Sequence, residues 1–301
     1  MRARRGLALL LAAALAWGGQ TVAHPYRGVT YIERTETVPR DQKMHVALVN
    51  LEAPRIRFKV TPPGGSRECV RQTTLEFLQQ QHAQIAINAH YFLPFPSPDP
   101  DAFVVGLAAS EGRVYSGFET PVQSYALVQD APALSIGRDN RVTIVHRDPA
   151  FADGMHVLEN VTLWNVVAGS AQIVTGGVAT IPRYGVELTA GGPNRYSAEK
   201  SWYEQVNART AIGVTRDGHT LVLFTVDAHG GSAGMKVSEV ADLLIRDYGV
   251  YQALNLDGGG STTMAIGGRV VNTSSDRNGG RRVASSLAVF AEPEGRARDL
   301  R

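Results

Sequence analysis

The sequence of 301 residues has a single cysteine, Cys69, and is poor in lysine. One cysteine cannot form an internal disulfide bond, and we expect Cys69 to be a small residue that is buried or half-buried. Only four of the 30 basic residues are lysines, and the other 26 are arginines. An anion-binding site in this chain would therefore be built from guanidinium groups and backbone amides.

An excess of charge of either sign is also missing. The formal net charge is +2, and the charged residues form no long block of one sign. We therefore expect no nucleic-acid partner. The sequence has no internal repeat and no low-complexity linker, and 44% of its residues are hydrophobic, which is enough for one large core.

Long hydrophobic runs are absent except near the amino terminus. Arg2, Arg4 and Arg5 precede an apolar run at residues 7–17, and small and polar residues follow as far as Ala23. This order is typical of a secretory signal peptide with cleavage near Ala23. No stretch reaches the roughly 18 apolar residues of a membrane-spanning helix, so we predict a secreted or periplasmic protein without a membrane span. The predicted division is a signal peptide at residues 1–23, one domain at residues 24–291 and a charged tail at residues 292–301.

Short strand-like runs separated by turn residues make up most of the remaining chain. Two segments have the pattern of helices: residues 74–82 follow a capping box formed by Thr73 and Glu76, and residues 236–249 carry one apolar stripe that ends at Gly249. We predict an α+β fold in which strand-rich, mixed sheets with a few flanking helices form a single compact domain. The predicted strands include residues 28–33, 44–51, 55–61, 84–89, 221–226 and 253–256.

Turns and a loop are predicted from glycine and proline. Hairpin turns are expected at residues 111–112, 138–140, 176–177 and 216–218. The four prolines at positions 94, 96, 98 and 100 predict a stiff surface loop, because proline has no amide hydrogen to donate to a β-ladder.

Residues 221–257 follow the order strand, loop, helix, strand, which is typical of a crossover connection between parallel strands. We therefore expect residues 221–226 and 253–256 to be parallel neighbours. Asp227 and Asp257 directly follow these two strands. Because ligands in open α/β sheets bind at the carboxyl ends of the strands, both carboxylates are candidates for one site.

The stretch after Asp257 reads Gly-Gly-Gly-Ser-Thr-Thr. Three glycines can adopt backbone angles that other residues avoid, so their amides could point into one concavity that binds phosphate or another oxyanion. The alternative is a tight turn that simply requires glycine. The loop is not a Walker loop, since no Gly-Lys-Ser or Gly-Lys-Thr closes it.

Several motifs resemble the phosphodiester glycosidase domain in order and spacing. They are "INAHYF", "ARTAIGVTRDGHTLVLFTVD", "GSAGMKVSEVADLL", "ALNLDGGGSTTM" and "RRVASSLAVF". The resemblance covers roughly residues 66–290. It implies an exported hydrolase that cleaves the C1–O bond of a sugar-1-phosphodiester, for example an α-N-acetylglucosamine-1-phosphodiester, in a glycan.

The resemblance and the positions of the motifs suggest the site residues. Asp257 is the expected catalytic carboxylate, acting as base or nucleophile, and Asp227 would orient the site, act as a second acid or cap a loop. The expected phosphate-binding residues are Arg209, Gly258, Gly259, Gly260, Ser261 and Arg281. The expected substrate-binding residues are Asn88, His90, Thr210, His229 and Asn255. No cofactor is required, although a divalent cation at the two aspartates stays an open alternative.

Some positions depart from the family pattern. Ala228 and His229 stand where relatives often have Gly-Arg, and His90 stands where a glycine is common. Two alternatives therefore stay open: a non-catalytic secreted protein that binds glycans of the cell envelope, and a phosphodiesterase that attacks phosphorus. The oligomeric state is not predicted by any motif.

Overall fold

The computed structural model describes residues 19–118, 130–181, 203–273 and 280–294. Within these ranges the chain is rich in strands and has two α-helices, which confirms the α+β prediction. The first strands are β1 (Gln20–Tyr26), β2 (Val29–Glu36), β3 (Gln42–Asn50), β4 (Arg57–Val60), β5 (Cys69–Val70), β6 (Ile85–Asn88), β7 (Phe92–Leu93), β8 (Asp101–Val104), β9 (Ala108–Ser110), β10 (Arg113–Ser116) and β11 (Ala133–Ile136). The others are β12 (Val142–Val145), β13 (Asn165–Ala168), β14 (Ala171–Thr175), β15 (Val178–Ala179), β16 (Arg209–Thr215), β17 (Thr220–Val226), β18 (Val250–Asn255), β19 (Met264–Ile266), β20 (Arg269–Val270) and β21 (Ser286–Phe290).

These strands form four sheets. The largest has eight strands in the order β1-β2-β3-β17-β16-β18-β14-β15. Two sheets have five strands each, in the orders β20-β19-β6-β21-β4 and β10-β9-β13-β11-β12, and a small sheet has the order β5-β8-β7. Every pairing between the described strands is antiparallel, as in the ladders that join β16 to β17 and to β18.

The central strands of the eight-stranded sheet, β16 and β17, are buried on both faces. Successive side chains of a strand point to opposite faces of the sheet. In β17, Leu221 and Leu223 pack into one hydrophobic cluster, whereas Val222 and Phe224 pack into another. The first cluster also contains Ile85 of β6, so it lies between the large sheet and the β6 sheet. The alternation explains why residues 220–226 are almost all apolar although the strand is antiparallel.

The two helices cover the outer faces of this pair of sheets. Helix α1 (Thr74–Gln81) begins after the capping box of Thr73 and packs Phe77 and Leu78 on the β6 sheet, where small residues such as Ala86 allow close approach. Helix α2 (Val237–Tyr248) packs its apolar stripe on the second face of the large sheet. Gly249 ends α2 with φ of 63°, as its predicted cap position requires. The result is a helix–sheet–sheet–helix stack.

The expected crossover is partly wrong. Strands β17 and β18 run in the same direction, but they are not neighbours, because β16 lies between them and pairs antiparallel with both. The preceding hairpin inserts β16 at this place, and the hydrophobic pattern of residues 221–256 contains no information about it. The carboxyl ends of β17 and β18 still lie at one edge of the sheet, together with the start of β16.

The smaller predictions for loops and turns are confirmed. The four hairpin turns join β9 to β10, β11 to β12, β14 to β15 and β16 to β17. The proline segment joins β7 to β8. Cys69 is fully buried in β5.

The structure describes the residues around both predicted boundaries of the domain. Cleavage near Ala23, which stays a prediction, would fall inside β1, where Ala23 pairs with Tyr31. The residues Glu292 and Pro293 of the predicted tail belong to the folded part, since Pro293 forms a bridge with Tyr26 and the carbonyl of Glu292 accepts a hydrogen bond of 2.8 Å. In the described ranges, no helix is long and apolar enough to cross a membrane.

Gly213 in β16 gives a test of this packing. A Cβ atom at this position would lie 2.7 Å from Cγ1 of Val250 and 2.9 Å from the backbone oxygen of Gln252. We expect Gly213→Ala to lower the free energy of unfolding by about 1–3 kcal/mol, measured by urea denaturation, because the ladder to β18 cannot move apart. The control is Gly64→Ala, whose Cβ would meet nothing closer than 3.8 Å. Equal stability of the two variants would contradict the packing.

Candidate active site

The candidate site lies where β16, β17 and β18 of the large sheet meet the end of β6. The chain beyond β18 is held on both sides: the amide of Leu256 donates to the carbonyl of Thr210 at 2.9 Å, and the amide of Asp257 donates to the carbonyl of Ala89 at 3.0 Å. Asp257 therefore lies between the two sheets. Its backbone is fixed by strands, which is the usual support for a precise site.

The carboxyl group of Asp257 is buried, since only 9% of the residue is exposed. Burial raises its pKa from 3.8 to about 7, because the charged form loses its hydration. A hydrogen bond with Ser261, the charge of Arg281 and the amide of Gly258 act in the opposite direction. A carboxyl group whose pKa lies near neutral pH exists in both protonation states there, which suits acid–base chemistry.

The triple glycine folds into a short 3-10 helix, Gly259–Ser261, and the amides do not all face one concavity. The amide of Gly259 donates to the carbonyl of Ala208 at 2.9 Å, and the amide of Ser261 donates to the carbonyl of Gly258 at 3.1 Å. The expected phosphate nest of three successive amides is therefore wrong, because the Gly259 amide is already used inside the fold. Gly260 lies half-buried in the same turn.

Glycine is required in this turn for two reasons. Gly259 has φ of 57°, in the left-handed region. A Cβ atom on Gly258 would lie 2.9 Å from the carbonyl oxygen of Ala208, so the turn packs directly on the chain before β16. The tight-turn alternative describes these two glycines better than the anion nest does.

Asn88 at the end of β6 is a hub of the site and is fully buried. Its Nδ2 donates to the carbonyl of Asp257 at 2.7 Å, and its Oδ1 accepts from the hydroxyl of Thr210 at 2.9 Å and from the amide of Thr263 at 3.0 Å. The structure thus places Asn88 and Thr210 against Asp257, as the sequence suggested. Both side chains bond to the protein itself, so they position Asp257 and offer no open surface to a ligand.

Arg209 begins β16 beside the same turn and is 2% exposed. Its Nε donates to the carbonyl of Met235 at 3.0 Å, and a terminal nitrogen donates to the carbonyl of Gln205. Burial lowers the pKa of Arg209, while Tyr91 and Tyr203 act to raise it. These hydrogen bonds hold the chain at the start of β16. The role of Arg209 in phosphate binding stays a prediction.

Asp227 after β17 is also fully buried, but its carboxylate is fully engaged. Oδ1 accepts from Nδ2 of Asn272 at 3.1 Å and Oδ2 accepts from the amide of Thr273 at 2.9 Å. Nε2 of His45 lies 3.4 Å from Oδ2. Asn272 in turn accepts from the amide of Met264 at 2.7 Å. The geometry favours the orienting role for Asp227 over that of a second acid.

The two histidines predicted to bind substrate have different environments. His90 is fully buried; its Nδ1 lies 2.9 Å from the hydroxyl of Ser285, and its Nε2 accepts from the amide of Ala168 at 3.0 Å. Burial lowers the pKa of His90 to about 4, so the ring is neutral. These contacts give His90 a structural role, and its contact with substrate stays a prediction. His229 is exposed at the end of β17, and no described contact links it to Asp257.

Arg281 is the cation that the structure brings to Asp257. Its Nη1 donates to the hydroxyl of Ser261 at 3.4 Å, and its guanidinium lies 4.6 Å from the ring centre of Phe95. The charge of Arg281 lowers the pKa of Asp257 against the effect of burial. Arg281 and Ser261 therefore lie next to the carboxyl group, and their role in anion binding stays a prediction.

Four polar residues lie beside Asp257, and only one of them was predicted from the sequence as a site residue. Asn255 was expected here, and its Nδ2 lies 3.3 Å from the hydroxyl of Tyr91 and 3.0 Å from that of Ser170. The hydroxyl of Tyr203 donates to Ser170 at 2.8 Å. Tyr91 belongs to the "INAHYF" motif, so its position next to His90 could have indicated it. Ser170 and Tyr203 come from distant parts of the chain, and no local pattern marks them.

Among the residues that the structure describes, no three His, Cys, Asp or Glu side chains converge to hold a metal ion. A divalent cation at the two aspartates stays an open alternative.

The fold and the buried carboxyl group at the sheet edge define a strand-rich α+β protein with a single acid at its candidate site. The model of the phosphodiester glycosidase family matches residues 81–290. The chain therefore belongs to the phosphodiester glycosidase family.

Named relatives match over a short segment. A stretch of 71 residues is 42% identical to human N-acetylglucosamine-1-phosphodiester alpha-N-acetylglucosaminidase and covers 24% of this chain but only 13% of the human protein. The protein of the same name from Mus musculus is 41% identical over a stretch of 71 residues. The matched part is thus a small share of the length of these relatives.

Solved structures share the fold over most of the chain. The catalytic domain of zebrafish N-acetylglucosamine-1-phosphodiester alpha-N-acetylglucosaminidase, described as auto-inhibited by a pro-peptide, has a TM-score of 0.61 at 20% identity, covering 94% of this chain and 91% of that domain. A hypothetical protein from Synechocystis has a TM-score of 0.64 at 16% identity, with 88% of this chain and 62% of that chain covered. A putative exported protein from Burkholderia pseudomallei has a TM-score of 0.60 at 14% identity, covering 96% of this chain and 99% of that one.

The buried Asp227 gives a test of its orienting role. In Asp227→Asn, the amide NH2 group faces either Asn272 or the amide of Thr273, so one buried donor loses its acceptor. We expect the free energy of unfolding to fall by about 1–3 kcal/mol in urea denaturation. Asp242→Asn, on the exposed face of α2, is the matched control and should change stability by less than about 0.5 kcal/mol. A stable Asp227→Asn protein would argue against the role.

The raised pKa of Asp257 predicts a pH-dependent stability. The folded protein holds this proton more strongly than the unfolded chain, so the wild-type stability contributed by Asp257 falls as the pH rises from about 4 to about 7. Asp257→Asn has no carboxyl group that titrates at this position, so its stability does not fall in this way. Each unit of pKa shift corresponds to about 1.4 kcal/mol, so the variant should be more stable than wild type by a few kcal/mol above about pH 7.

Thermal unfolding of both proteins at several pH values checks this. The difference in melting temperature should shrink as the pH falls below about 4 and should be smallest below about pH 3, where Asp257 is mostly protonated in both states. A difference that does not change with pH would show that Asp257 keeps its ordinary pKa in the fold.

Proposed function

We propose that the protein hydrolyses the C1–O bond of a sugar-1-phosphodiester. The observation that carries the proposal is the buried carboxyl group of Asp257, which has a pKa of about 7 and lies beside Ser261 and the positive charge of Arg281. Membership in the phosphodiester glycosidase family supports the same reaction. A single acid next to a cation fits this substrate better than an ordinary glycoside.

The leaving group explains why one acid is enough. Most glycosidases use two carboxyl groups, one of which protonates the departing alcohol. A phosphate monoester anion is a far weaker base than the alkoxide that an ordinary glycoside would release without protonation, so its departure needs positive charge and little protonation. Arg281 supplies that charge, and Asp227 is held by Asn272 and Thr273 instead of serving as a second acid.

The bond changes are few. Water adds to C1 of the sugar, the C1–O bond breaks, and its electron pair leaves with the phosphate monoester. The ionised form of Asp257 takes up the proton of the attacking water, or it attacks C1 itself and water then hydrolyses the glycosyl intermediate. The first course inverts the configuration at C1, and the second retains it.

The substrate class is proposed from the relatives. Their names specify an α-N-acetylglucosamine-1-phosphodiester, and the matched segment of 71 residues is 42% identical to the human enzyme. We infer that an α-linked N-acetylglucosamine 1-phosphodiester is the substrate to test first. The arginine-flanked apolar run at residues 7–17 and the exported relative from Burkholderia pseudomallei support a secreted or periplasmic location.

The decisive experiment is hydrolysis of methyl α-N-acetylglucosamine 1-phosphate in oxygen-18 water. Label in the released sugar supports the proposal, because water then attacks C1. Label in the phosphate would instead identify a phosphodiesterase that attacks phosphorus. We expect Asp257→Asn to lower kcat/KM by about a hundredfold or more, since acid–base groups contribute this much.

Asp242→Asn serves again as the control and should retain full activity. If wild type and Asp257→Asn bind the phosphodiester equally and neither releases methyl phosphate, the protein binds glycans without turnover and the hydrolase proposal fails.

A further inference from the structure

Two groups of polar residues lie near Asp257. One group is Arg281 and Ser261, joined by a hydrogen bond of 3.4 Å. The other group is Tyr91, Ser170, Tyr203 and Asn255, which we call the neutral cluster. Its members have hydroxyl or amide groups and no formal charge.

The neutral cluster is a connected network. The Ser170 oxygen accepts from the hydroxyl of Tyr203 at 2.8 Å and from Nδ2 of Asn255 at 3.0 Å. The hydroxyl of Tyr91 lies 3.3 Å from the same Asn255 nitrogen, and Ser170 also hydrogen-bonds Tyr91. The backbone is joined as well, since the amide of Ser170 donates to the carbonyl of Asn255 at 2.9 Å. The four side chains are therefore held in fixed positions.

One atom of the network is unsatisfied. Oδ1 of Asn255 is buried and has no hydrogen-bond partner among the described residues. Leaving a buried acceptor unpaired costs about 1–3 kcal/mol, so such an atom in a fixed network indicates a place for a hydrogen-bond donor from a ligand. Tyr91 and Ser170 are only partly buried, whereas Tyr203 and Asn255 are enclosed.

The neutral cluster lies close to the reacting carboxyl group. The charge of Asp257 acts with burial to raise the pKa of Tyr91, and the charge of Arg209 acts to lower it. The amide of Asp257 also donates to the carbonyl of Ala89, two residues before Tyr91. The Tyr91 hydroxyl therefore lies near the carboxyl group of Asp257.

We propose that the neutral cluster is the sugar subsite, in which the Tyr91 hydroxyl and Oδ1 of Asn255 bond to hydroxyl groups of the sugar. The inference rests on the proposed function and adds the orientation of the substrate: the sugar lies on the side of Tyr91 and the phosphate on the side of Arg281. Ser170 and Tyr203 position the two contacting groups. Sugar hydroxyls need neutral donors and acceptors, whereas phosphate needs charge-assisted bonds.

Binding measurements without turnover test the orientation. The probes are inorganic phosphate and α-N-acetylglucosamine 1-phosphate, and the affinity is measured by calorimetry. We expect Tyr91→Phe to weaken the sugar 1-phosphate by about 2–15-fold, the usual effect of one neutral hydrogen bond, and to leave inorganic phosphate unchanged. Ser170→Ala should also weaken the binding of the sugar 1-phosphate and leave that of inorganic phosphate unchanged. The effect should be smaller, because this variant removes only a hydrogen bond that positions Tyr91. Arg281→Gln should weaken both probes.

The control is Tyr115→Phe. Tyr115 donates its hydroxyl to the carbonyl of Thr61 at 2.9 Å and has no described contact with Asp257, so this variant also loses one enclosed tyrosine hydroxyl. It should bind both probes as wild type does. Thermal unfolding of each variant shows whether the fold is retained.

Three outcomes would overturn the sugar subsite: Tyr91→Phe leaves the sugar 1-phosphate affinity unchanged, it weakens both probes equally, or wild type does not distinguish the two probes. Failure of the hydrolase proposal has a different signature. In that case the probes would still separate the Tyr91 and Arg281 variants, while methyl α-N-acetylglucosamine 1-phosphate would stay uncleaved.

Discussion

The side-chain amide of Asn88 connects the two sheets at the place where the acid is held. One side chain bonds to the carbonyl of Asp257, to the hydroxyl of Thr210 and to the amide of Thr263. These partners belong to the chain after β18, to β16 and to the segment before β19. Because the interior is apolar on both sides of this point, the three bonds have no competition from water and fix the relative position of the sheets. The geometry around Asp257 depends on this connection.

Much of the fold could be predicted because local patterns determine it. The capping box at Thr73, the apolar stripe that ends at Gly249 and the turn residues of the hairpins each depend on a few neighbouring residues. The order of strands in the large sheet depends on which chain segments meet in space. The insertion of β16 between β17 and β18 therefore had no signal in the alternation of residues 221–256.

The site was predictable in its centre and less so in its surroundings. Asp257 stands out because an acid at a strand end precedes three glycines, but the same glycines turned out to serve packing against Ala208 instead of anion binding. His90 looked like a pocket residue, yet its ring links Ser285 to Ala168 inside the core. The sequence alone does not distinguish a polar side chain that supports a site from one that contacts a ligand. The burial of the side chain and its hydrogen-bond partners distinguish these two roles.

The origin of the polar residues around Asp257 has an evolutionary consequence. The acid follows a central strand of a doubly buried sheet, where changes are costly, while Tyr91, Ser170 and Tyr203 lie on connections between strands. Connections accept substitution more readily than core strands. Selection can therefore exchange these polar groups one at a time, while the carboxyl group keeps its place at the end of β18.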